Sequence, residues 1–189
     1  MESRTIAQTK TYTYVICALF AALSAVGAFI KIPMPLVPFT LQFLFTALSG
    51  VLLGSKRGML AQMLYVGIGL AGIPIFTKGG GISYVFQPTF GYLVGFIIGA
   101  YIIGKIVEQK GASFKVIFMA SFIGVIAIYI FGVIYMYFIV NLYIGSPMPL
   151  SKAIYVGAIA CLPGDLISCF ITSLVGSKLV PILKKQQLI

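Results

Sequence analysis

The residue with the most chemistry to offer is Asp165. The chain of 189 residues carries three acidic residues and no histidine. Glu2 and Glu108 fall outside the apolar runs, which leaves Asp165 as the carboxylate available within one. An ionisable group set well inside a membrane-spanning run costs several kcal/mol unless it faces a cavity or a partner. Pro163-Gly164 stands just before it and can interrupt a helix, so that Asp165 opens a new helical segment surrounded by free backbone N–H groups. Interrupted helices at membrane depth are where transporters hold ligands. Ser168 and Thr172 follow at i+3 and i+7 and share the helical face of Asp165, a polar stripe that also suits plain helix packing. Paired-carboxylate hydrolysis, histidine triads and histidine metal sites are excluded by this inventory. Gly54-Ser55-Lys56 and Gly176-Ser177-Lys178 lack the earlier glycine and the following Ser or Thr of a phosphate-binding loop, so the chain is not expected to hydrolyse nucleotide. Cys17, Cys161 and Cys169 are isolated in apolar sequence without metal-type spacing, and read as small buried hydrophobes.

Further polar groups lie near the ends of apolar runs. Thr77-Lys78-Gly79-Gly80-Gly81-Ile82-Ser83-Tyr84 is a glycine-rich connection, followed by Gln87-Pro88-Thr89; it suits a loop closing over a site and a plain connector equally. Thr40 and Gln42 stand at the same end of the chain's passes. Tyr84, Tyr92, Tyr143 and Tyr155 sit near run ends, where interfacial anchoring is the default role. Ala18 and Ala22, with Ala21 and Ala25, form two small-xxx-small pairs that let another helix approach closely. Packing within the chain is the simpler reading of those pairs.

These groups must be positioned by membrane helices. Hydrophobic residues make up 60% of the chain and charged residues 8%, too few charges to clothe a water-soluble core. Apolar runs at about 14–30, 39–53, 58–75, 90–107, 114–144 and 153–183 predict six transmembrane helices. The first is expected to stay in place, not to be cleaved as a signal peptide. The runs of 15 to 18 residues are short for a span and the last two are long, so tilted or interrupted helices are expected. The turn Lys31-Ile32-Pro33-Met34-Pro35 ends the first run, because proline cannot continue a helix. With six passes, one side carries Arg4, Lys10, Lys56, Arg57, Lys105, Lys110, Lys115, Lys178, Lys184 and Lys185, and the other only Lys31, Lys78 and Lys152. That asymmetry puts both termini in the cytoplasm. It also explains the net charge of +10 through topology and anionic lipid, with no nucleic-acid partner. The expectation is an all-α integral protein of the cell membrane, one membrane domain over 1–189, without cofactor or metal.

The motifs bear a family resemblance. Ala18-Leu19-Phe20-Ala21-Ala22-Leu23, Val37-Pro38-Phe39-Thr40-Leu41-Gln42, the glycine loop leading to Pro88-Thr89-Phe90-Gly91-Tyr92-Leu93 with Gly95-Phe96, and Leu162-Pro163-Gly164-Asp165 together resemble the BioY family. Its members are biotin-specific substrate-binding subunits (S components) of energy-coupling factor (ECF) transporters. The resemblance implies a six-helix S-component bundle that captures a vitamin outside the cell. Its partners would be a transmembrane coupling subunit, met through Ala18 and Ala22, and two cytoplasmic ATPases. It further implies that the loop after the first span covers the pocket, and that Thr40, Gln42, Tyr84, Thr89, Tyr92 and Asp165 stand near the substrate. One departure stands out: the family pattern continues Pro-Gly-Asp-x-x-Lys, whereas here the last position is Ser168. Either another cation holds the ligand anion, for which Lys78 in the outer loop is the candidate, or the ligand is a different small apolar carboxylate such as lipoate or dethiobiotin. From other classes, a membrane enzyme using Asp165 alone and an assembly subunit that binds no small molecule are the competing readings.

Overall fold

A computed structural model of the chain describes residues 10–34 and 36–186. Arg4 of the cation count and Pro35 of the first turn lie outside them. Helix α1 (Lys10–Phe29) leads into a two-stranded antiparallel ribbon, β1 (Lys31–Ile32) with β2 (Phe39–Thr40), in which Lys31 faces Thr40 and Ile32 faces Phe39. Leu36, in the link between the strands, has φ of 67°, a left-handed conformation uncommon for a residue with a side chain. The run expected to be helical from 39 thus begins as a strand, and α2 spans Gln42–Leu53.

Gly54 alone separates α2 from α3 (Ser55–Leu70). Its φ of 82° suits glycine, and a Cβ there would collide with the Glu108 carboxylate. That carboxylate accepts from the Ser55 N–H at 2.7 Å and from the Ser55 hydroxyl at 2.8 Å. Glu108 therefore caps the start of α3, where N–H groups lack helical partners and the dipole favours negative charge. Helices α2 and α3 fold back on each other as a hairpin. They have 12 and 16 residues, or about 18 and 24 Å at 1.5 Å per residue, short of a hydrocarbon core of about 30 Å. The hairpin is nonetheless viable because α2 packs against α1, α3, α4 and α7 and buries nine of its twelve residues.

Helix α4 (Phe90–Lys110) pairs with α5 (Phe114–Phe138), which runs on through a π-helical turn at Ile139–Tyr143. Short α6 (Leu150–Ile154), a second π-helical turn (Tyr155–Ile159) and α7 (Leu162–Lys185) make the last pass. Among the described residues, four stretches are long and apolar enough to cross a membrane: Lys10–Phe29, Phe90–Lys110, Phe114–Tyr143 and Leu150–Lys185. With the α2–α3 hairpin they make six passes. The interruption in the last pass falls at Ala160–Cys161, one turn earlier than proline and glycine implied. Pro163 sits in the first turn of α7, where its missing N–H has no helical acceptor to lose. Nor is the N–H of Asp165 free: it donates to the Cys161 carbonyl at 3.1 Å.

Buried polar side chains knit the short helices together. Gln62 of α3, fully buried, donates to Ser24 of α1 at 3.1 Å and to Ser49 of α2 at 3.2 Å. Its carbonyl accepts from Thr46 at 3.3 Å, while Ser24 gives its one proton to the Phe20 carbonyl at 3.0 Å. Both ends of the buried amide are thus engaged, which is what burial in an apolar medium demands.

Candidate functional site

The site is a cavity enclosing about 560 Å³ of empty space, counted to its open mouth. It lies between the ribbon, the start of α2, the 77–89 connection, α4, α5 and the start of α7. Its walls are largely apolar: Val37, Pro38, Phe39, Phe43, Leu93, Phe96, Val125 and Ile128 all contribute.

Two polar groups interrupt that surface. The first is Asp165, 6% exposed, in the first turn of α7. Its Oδ2 accepts a 2.5 Å hydrogen bond from the Tyr129 hydroxyl of α5, and both residues line the cavity. The bond ties one carboxylate oxygen of this cavity-lining residue to α5. Tyr92 of α4 lies beside them, with its hydroxyl donating to the Gly157 carbonyl in the second π-helical turn at 2.7 Å. The irregular turn before α7 therefore has a use: it frees a carbonyl that a regular helix would occupy.

The second group is built by the 77–89 connection. The Tyr84 hydroxyl lies 2.8 Å from the Thr77 hydroxyl and 3.0 Å from that of Thr89, and all three residues line the cavity. Next to them, the Gln42 carbonyl accepts from the Thr40 hydroxyl at 3.1 Å, while its amide donates to the Tyr65 hydroxyl at 2.8 Å. Tyr65, outside the lining, passes its own proton to the Ile75 carbonyl at 3.0 Å and packs edge-on against Phe76, which lies against Tyr84. Gln42 and Tyr84 are thus held by the same buried aromatic cluster. The connection is also fastened to α5, through Tyr135 donating to the Val85 carbonyl and through stacking of Phe86 on Tyr143.

Of the residues singled out in the sequence, Thr40, Gln42, Tyr84, Thr89, Tyr92 and Asp165 meet at this cavity. Two do not. Lys78 is exposed and outside the lining. Ser168 is buried but turns back to the Gly164 carbonyl of its own helix at 3.2 Å. Tyr84 and Tyr92 are buried, not interfacial, whereas Tyr143 and Tyr155 are exposed at their run ends. Tyr129, Thr77, Phe39, Phe43, Phe96 and Cys161 line the cavity without having been singled out for it. Tyr129 is the important omission, because in the sequence it is one aromatic in a long apolar helix and only its partner across the bundle reveals its use. On α1, Ala21 and Ala25 are packed inside, while Ala18 and Ala22 are exposed beside Val15, Leu19 and Val26.

Fold and site define a class: a multi-pass membrane protein of six helical passes with a largely apolar cavity set between its helices. Comparison with known proteins narrows that class. The BioY family model matches residues 1–185. The probable biotin transporter BioY of Lysinibacillus sphaericus is 43% identical over 183 residues, 96% of this chain and 93% of that protein. The biotin transporter BioY of Thermotoga maritima is 41% identical over 162 residues, 85% and 91% of the respective chains. The crystal structure of an S-component for biotin from an ECF-type ABC transporter shares the fold, with a TM-score of 0.79 at 24% identity over 90% of this chain and 91% of that one. The chain belongs to the BioY family, and is a transporter component of the cell membrane.

Proposed function

We propose that this chain is the biotin-capturing S component of an ECF importer. The observation that carries the reading is the cavity: an apolar slot with a carboxylate at one wall and a cluster of hydroxyls at another. Biotin is made of an apolar bicycle and tail, a ureido group with two N–H donors and a carbonyl, and a carboxylate. Asp165, with Oδ2 held by Tyr129, offers Oδ1 to a ureido N–H. Thr40, Gln42, Thr89 and Tyr84 supply hydroxyl and amide partners, and Phe39, Phe43 and Phe96 take the apolar parts. Ser168, bonded to its own helix, and Lys78, exposed, are left out of the contact set proposed here.

The chain contributes binding, and its transport is driven from outside it. Ala18 and Ala22, in a small-residue stripe on the exposed face of α1, receive the coupling subunit, and two ATPases supply the energy. The end bearing Lys10, Lys56, Arg57, Lys110, Lys184 and Lys185 faces the cytoplasm and the cavity faces outward, in keeping with the excess of cations there.

The test is to purify the chain in detergent from cells grown with biotin, identify the co-purified small molecule by mass spectrometry, and titrate the emptied protein with biotin, dethiobiotin and lipoate. Tightest binding of biotin is the expected result. Preference for lipoate or dethiobiotin would reassign the ligand, and failure to bind any of them would overturn the reading.

A further inference from the structure

We infer that Lys31, at the mouth of the cavity, is the cation that receives the ligand's carboxylate; the inference rests on the reading that the ligand is biotin or an acid of that shape. No lysine or arginine lines the cavity. An acid that entered carboxylate first would set its charge beside Asp165, in surroundings that screen charges poorly. The anionic end must therefore stay away from Asp165. Helix α5 measures how far away the other end is. Tyr129 meets Asp165, and Tyr135, six residues on, meets the Val85 carbonyl, so at 1.5 Å per residue the outer connection stands about 9 Å further along the bundle axis.

Lys31 is tied to that outer end twice. Its Nζ donates to the Thr77 carbonyl at 2.7 Å, and strand pairing sets it opposite Thr40; Thr77 and Thr40 both line the cavity. An ammonium has three donors, and the bond to Thr77 uses one. Lys31 is exposed, so its charge is not buried and carries no desolvation cost before the ligand arrives. Tethering to Thr77 also removes much of the chain entropy that a free lysine would lose on contact.

The experiment compares biotin with biotinamide, the neutral amide of the same acid, by calorimetric titration of the full chain in detergent. Lys31→Gln keeps a donor for the Thr77 carbonyl and removes the charge. Biotin affinity is expected to fall about fivefold in this variant, while biotinamide affinity stays within twofold. In the unaltered chain the preference for biotin over the amide should shrink as salt is raised. Lys31→Arg should retain the preference, and Lys78→Gln should change neither ligand. Equal losses for the two ligands would make Lys31 a loop fastener only and overturn the inference, as would no loss, or a selective loss in Lys78→Gln. If Lys31→Gln does not purify, the salt series on the unaltered chain decides, and a preference for biotin over biotinamide that salt does not shrink overturns the inference. An unaltered chain that binds neither ligand would overturn the biotin reading itself, a result distinct from a chain that binds biotin without using Lys31.

Discussion

Replacing Tyr129 with phenylalanine removes one hydroxyl and leaves the ring that helps wall the cavity. In the unaltered chain that hydroxyl is the partner of Asp165 Oδ2. A hydrogen bond to a charged group contributes about 1.5–3 kcal/mol, whereas polar pairs between membrane helices average about 0.6 kcal/mol because each partner finds substitutes when the pair is broken. Asp165 is 6% exposed, and the Ser168 hydroxyl is committed to Gly164, so substitutes are few and the larger figure governs. The low end of that range, about 1.5 kcal/mol, is slightly more than tenfold in affinity, and Tyr129→Phe is expected to weaken biotin by about that factor. The assay is a double-mutant cycle of biotin dissociation constants with Asp165→Asn. Once the carboxylate is gone, the tyrosine has no charged acceptor, so Tyr129→Phe should then cost less than about twofold, giving a coupling near 1 kcal/mol. Strictly additive losses, or a Tyr129→Phe protein that binds biotin as the unaltered chain does, would refute the claim that Tyr129 acts by presenting Asp165.

Three further outcomes follow from other parts of the fold. Tyr65→Phe strands the Gln42 amide and the Ile75 carbonyl, both now bonded to its hydroxyl, and should lower stability by about 1–3 kcal/mol and loosen biotin, seen together in a thermal unfolding series with and without ligand. Gly95→Ala would place a methyl 2.9 Å from the Ile128 Cα and 3.0 Å from its carbonyl oxygen; backbone cannot yield as a side chain can, so a loss of about 1–3 kcal/mol is expected, read as a lower midpoint in detergent. Ala22→Trp adds bulk to the exposed face of α1 and should leave biotin titration unchanged while abolishing biotin uptake by cells that supply the ECF module.

Much of the site was legible because its residues break the local pattern. Asp165 is conspicuous as a carboxylate in an apolar run, whereas Thr40, Gln42, Tyr84, Thr89 and Tyr92 were pointed to by the family resemblance. The rest depended on groups that meet only in three dimensions. Tyr129 is 36 residues from Asp165, and nothing in the intervening sequence says that α5 and α7 set them face to face. Lys78 stood out because it lies in the glycine loop, yet it is exposed and outside the lining, and it is Lys31, 46 residues from Thr77 in the chain, whose side chain bonds the Thr77 carbonyl at the cavity wall. Glu108 read as a loop charge outside the membrane runs, and its capping of α3 emerges only when α4 ends beside Gly54.

The sequence by itself determined the solvent and the number of passes. Apolar runs of spanning length, few charges and cations gathered between alternate runs are properties of composition and spacing, and bilayer thickness converts them directly into helices. It also determined which residue would be costly to bury. Tertiary structure decided that two passes are short enough to need the others around them, and that the last helix breaks at Ala160–Cys161. It also decided which hydroxyl holds Asp165 and which lysine is bonded to the Thr77 carbonyl. Hydrogen bonds and packing between helices act over ångströms while joining residues tens of positions apart, so they are set by how helices cross and not by what lies next along the chain.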